Sequence, residues 1–160
     1  MLVQWVCIGR IVFKDLPPAD AIALSIEFAR LADMCDITGT ESSMAEHIEG
    51  IILSDAPLHK DSWGSRDHNA NNYSITTQHI ESVVLLPSGH PVRGVLAMAM
   101  VEGFFQFDNH RLQKQIQENS GFAVDILAAV KATSKTITRG EYSTHFKEPL
   151  SGVVVMLEST

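Results

Sequence analysis

Cysteine is scarce in this chain: Cys7 and Cys35 are its only two in 160 residues. Two are too few for a disulfide framework, and neither belongs to a C-x-x-C pair, so both are expected to be buried and reduced. Clustered basic charge is also missing. The 12 Lys and Arg residues stand singly against 19 Asp and Glu, for a formal net charge of −7. Nucleic-acid binding needs gathered cations that displace counterions, and a polybasic membrane surface needs the same, so neither partner is expected. No long hydrophobic run is present: the strongest, residues 95–105 (VLAMAMVEGFF), is broken by Glu102 and falls short of the roughly 20 residues that span a bilayer. The opening MLVQWVCIGRIVF lacks the basic start and small-residue cleavage site of a secretory signal, which makes the cytoplasm the expected location. The chain has no G-x-G-x-x-G, Walker A or G-x-S-x-G, which removes the usual support for nucleotide-cofactor, P-loop and serine-hydrolase readings. No cofactor is expected. There is no internal repeat and no low-complexity tract.

What is there belongs to a globular protein. The 45% hydrophobic and 19% charged composition is far from that of a disordered chain, and the length suits one domain, residues 1–160. Residues 2–13 (LVQWVCIGRIVF) read as a strand with Gly9 at a bulge. Asp15 is placed to cap a helix whose first turn takes the two prolines of DLPPAD, and Ile22, Ile26 and Ala29 recur at helical spacing. Thr38–Glu41 breaks that helix, and residues 42–53 suggest a second, shorter one or a helix running into a strand. Residues 54–72, polar and without apolar period, read as a long surface loop. Residues 73–86 have strand composition, PSGHP (87–91) is a turn, and residues 92–107 are apolar on nearly every side, as in a helix buried within the core. A helix starting at Gly121 and two strands, 136–146 and 152–158, complete an α+β pattern.

Glu102 is the most informative single residue. A carboxylate on so apolar a helix is costly to bury unless it is satisfied or functional, and desolvation would raise its pKa toward the range useful for acid–base chemistry. The plain alternative places it at the helix edge facing water. His59, Asp61, Asp67 and His68 could converge across the polar loop, but their spacing fits no recognised metal pattern, and no metal is expected. Strand alternation would put Arg139 and His145 on one face as surface polar residues.

HPVRGVLAMAMVEG resembles the active-site turn and central helix of hotdog-fold acyl-thioester enzymes, the hydroxyacyl-ACP dehydratases and related thioesterases, and YSTHFKEPLSGVVVMLE (142–158) resembles their next strand pair. The resemblance covers residues 73–158. It implies an antiparallel sheet packed around a buried central helix, with a helical amino-terminal part added here. It implies an acyl thioester or similar apolar small molecule as substrate, and a homodimer. When the chain is matched at Gly94-Val95-Leu96, the family's glutamate falls at Ala99, one helical turn before Glu102. Under this reading the carbonyl lies at the amino end of the helix, N–H groups at Gly94 and Val95 stabilise the oxyanion, and Glu102 or His90 activates water. A reading of another class makes the chain a non-enzymatic acidic adaptor, inhibitor or immunity-type protein that meets a basic partner through its negative surface.

Overall fold

The apolar period that begins at Ile22 forms α1 (Pro18–Met34), which buries Ile22, Ile26, Phe28 and Ala29. The computed structural model describes residues 15–55, 70–106, 112–141 and 143–157. The expected strand over 2–13, Cys7, and the group His59, Asp61, Asp67 and His68 lie outside the described residues. Asp15 does not cap α1: it takes a left-handed φ of 35°, and Pro17 occupies the cap position. At the other end the Cys35 N–H closes the last turn on Leu31 and Ala32, and Asp36 turns the chain at φ 54°. Cys35 is consequently exposed and not buried as expected, because the helix stops at the surface.

Helix α2 (Thr40–Asp55) is longer than expected and takes in the first residues of the polar stretch. At the far end of that stretch, Ala70–Asn72 form a single 3₁₀ turn in which Asn71 and Asn72 are buried. Both ends of the expected surface loop are therefore built into the fold.

Residues 73–86 are not a strand. Thr76 accepts the His79 N–H through Oγ1, and His79 Nδ1 accepts the Thr76 N–H at 3.1 Å, a reciprocal cap that starts helix α3 (Thr77–Val83). Ile80 and Val83, three apart, then face the core together. Local capping overrides the β-branched composition here.

The apolar run forms α4 (Pro91–Gln106), with Val92, Leu96, Met100 and Val101 fully buried, as its all-round hydrophobicity predicts. After a short α5 (Gln113–Glu118), α6 (Ser120–Ser134) packs most extensively on α4, and α2 covers another flank. The expected sheet around the central helix is thus replaced by helices, with Thr77–Val83 helical where a strand was expected. The sheet itself is small and antiparallel, ordered β1 (Thr138–Arg139), β2 (Thr144–Lys147), β3 (Val154–Leu157). It meets α4 near the carboxyl end, where the Phe105 and Phe146 rings lie 4.9 Å apart. The α+β class holds, with helix predominant. Among the described residues no helix is long and apolar enough to cross a membrane.

Candidate functional site

Glu102 stands in the penultimate turn of α4, three residues before Phe105 and on a helix otherwise given to core packing. It is half-buried. Its carboxyl is pushed up to about 7, first by burial and second by the negative charge of Glu148. Neutral pH therefore finds it divided between the acid and the carboxylate, the condition under which one group can both take and give a proton.

Glu148 comes from the other side of the junction, just past the end of β2, and is 2% exposed. A buried carboxylate must be satisfied, and this one is held by its own turn. The Leu150 N–H donates to both oxygens at 3.0 and 3.1 Å. The Ser151 N–H and Oγ–H each donate to Oε2 at 2.6 Å. Around the same turn the Gly152 N–H donates to the Glu148 carbonyl at 2.9 Å, and the Glu148 N–H to the Val153 carbonyl at 2.8 Å. Gly152 has φ 68°, a backbone conformation that calls for glycine, while the 3.2 Å approach of a Cβ there to Lys147 Cε is one the exposed lysine side chain can relieve. The result is a Glu148 carboxylate fixed in place by four hydrogen bonds from its own turn.

A cavity of about 390 Å³ opens on this turn, lined by Thr133, Thr136, Lys147, Glu148, Leu150 and Gly152. That volume lies in the range of small-molecule sites. A larger groove, about 500 Å³, lies elsewhere between α1 and α2, against Leu16, Ala21, His47 and Ile51. The groove is the larger of the two, but the cavity is the one that Glu148 lines, while Glu102 is not among its lining residues.

His90 is the N-cap of α4. Its Nδ1 accepts the Val92 N–H at 3.2 Å, and its carbonyl accepts the N–H groups of Arg93 at 3.0 Å and Gly94 at 3.2 Å. Burial lowers its pKa against the opposing pull of Glu41 and Asp33, with Arg93 also lowering it. The Gly94 N–H is thus already engaged, and Val95 is buried in the helix. Twelve residues of helix separate His90 from Glu102, about 18 Å at 1.5 Å per residue. The structure accordingly does not bring together the four residues singled out in the sequence: Glu102 lies at one end of α4, and His90, Gly94 and Val95 at the other. Arg139 and His145 do not share a face either, since Arg139 pairs with Thr144 while Thr138 pairs with His145.

Sequence reasoning missed Glu148. Its only signal was an acidic residue opening the turn EPLSG, with a serine three positions on able to return a hydroxyl to it. Among the described residues there is no group of three or more His, Cys, Asp or Glu that could hold a metal ion. The chain matches no protein-family model, no curated protein and no solved structure.

Proposed function

We propose that the protein binds and hydrolyses an acyl thioester, or a similar elongated apolar small molecule, with Glu102 activating the attacking water. The observation that carries this reading is the half-buried Glu102 carboxyl, raised to about 7 beside the buried and fully hydrogen-bonded Glu148. Ionised Glu102 takes a proton from water as the oxygen adds to the carbonyl carbon; the C–S bond then breaks, and Glu102 gives that proton to the departing sulfur, which leaves as the thiol beside the carboxylic acid. Burial, and after it the charge of Glu148, make Glu102 a stronger base than an ordinary glutamate at neutral pH. The cavity at the Glu148 turn offers both Leu150 and the hydroxyl-bearing Thr133 and Thr136 to a ligand. The substrate class, and the homodimer that goes with it, are suggested by the local resemblance of residues 90–103 to the turn and helix of hotdog acyl-thioester enzymes alone, since helices and not a sheet cover α4 here. His90 serves the start of the helix in this account and takes no part in the chemistry.

Thiol release from short-, medium- and long-chain acyl-CoA thioesters tests the proposal. The expected result is release whose kcat/KM rises with pH through about 7, following ionisation of Glu102. In Glu102→Gln it should fall by roughly 10²–10⁴-fold. No release at any chain length, or release unchanged in the variant, contradicts the reading.

A further inference from the structure

The β1–β2 hairpin carries a second arrangement that the Glu102 site does not use. Ser143 Oγ and His145 Nε2 are 2.7 Å apart. The two residues are spaced by two along an extended segment, so their side chains share one face of the sheet. The hairpin fixes them: the Gly140 N–H donates to the Ser143 carbonyl at 2.8 Å, and His145 pairs with Thr138 on one side and Met156 on the other. Both side chains are only half-buried, so a ligand can reach them.

Register decides what else lies on that face. Met156 is directly opposite His145, and Val154 is directly opposite Lys147, so these side chains stand with the imidazole. The other face holds Phe146, buried against Phe105. Val154 is 66% exposed and Met156 54%, which leaves a short apolar strip open beside the serine–imidazole pair. A nucleophile within hydrogen-bond reach of a base, next to accessible apolar surface, is the layout of an acyl-transfer centre.

We infer that Ser143 and His145 form a nucleophile–base dyad that accepts the acyl group of apolar carboxylic esters. His145 holds its proton on Nδ1 and accepts the Ser143 hydroxyl at Nε2. Ser143 Oγ adds to the carbonyl carbon as its proton passes to Nε2. The bond to the leaving alcohol breaks, and that group departs with the proton from His145. Water then attacks the Ser143 ester with His145 again as base, releasing the carboxylic acid and restoring the hydroxyl. Met156 and Val154 hold the acyl chain.

The inference is independent of the Glu102 reading, and one experiment separates them. The full-length protein is treated with an alkyl fluorophosphonate and with p-nitrophenyl butyrate, and adducts are located by peptide mass spectrometry. The expected result is a single stoichiometric adduct on Ser143, absent in Ser143→Ala, formed at least tenfold more slowly in His145→Ala, and formed at an unchanged rate in Glu102→Gln. Circular dichroism of each variant confirms that the hairpin change leaves the helices folded. Labelling that misses Ser143, or that proceeds on Ser143 at the same rate without His145, overturns the inference.

Discussion

At the scale of single residues, two titrating groups, one within α4 and one at its N-cap, pull stability in opposite directions with pH. Glu102 has a folded-state pKa of about 7 against an ordinary 4.5, so the folded chain holds more proton than the unfolded chain between those values. Its contribution is fully present below the lower value and is lost as pH rises through the upper one. Glu102→Gln removes that loss. Urea denaturation should show the variant more stable than the parent by about 1–3 kcal/mol near pH 8, the full shift being reduced by partial exposure, and little changed near pH 4. His90 behaves oppositely. Its pKa is lowered from 6.5, so its contribution is present above that value and is lost as pH falls below it. Protonation would also destroy the acceptor that caps Val92. His90→Asn keeps a cap acceptor without the titration. Its stability between about pH 6.5 and 5 should therefore fall less than the parent's in the same denaturation series.

At the scale of elements, Arg93 ties three of them together. Its Nε donates to Asp125 at 2.7 Å, Nη1 to the Leu86 carbonyl at 2.9 Å and Nη2 to the Gly121 carbonyl at 2.8 Å, with the guanidinium buried. The clamp fixes the start of α4 against the start of α6 and the turn after α3. Removing one member of a buried pair strands the other, so Arg93→Ala should destabilise the fold by about 3–5 kcal/mol by thermal or chemical denaturation. Elements also show how far the sequence could be read. Helices α1, α4 and α6 were legible because their apolar residues recur over several turns, a signal that depends on many positions. Helix α3 was not, because seven residues rich in β-branched side chains carry too few repeats, and the deciding bonds join Thr76 to a histidine at the place where a glutamate or glutamine is usual in a capping box.

At the scale of the whole molecule, the chain encloses α4 with helices and sets a three-stranded sheet at its carboxyl end. The α+β class followed from the alternation of periods. The identity of the elements covering α4 did not, because an all-round apolar helix is equally content beneath strands or helices. The candidate site was half legible for a related reason: Glu102 stands out within an apolar run, whereas Glu148 becomes significant only when folding brings its turn beside α4. Ser143 and His145 were legible as neighbours in sequence, but their shared face required the register of the hairpin. The account rests most directly on the Glu102 carboxyl, which can be followed by ¹³C NMR in glutamate-labelled protein, with its signal assigned by loss in Glu102→Gln. The account predicts a midpoint of about 7 that moves down in Glu148→Gln, while a midpoint at the ordinary 4.5 would contradict it.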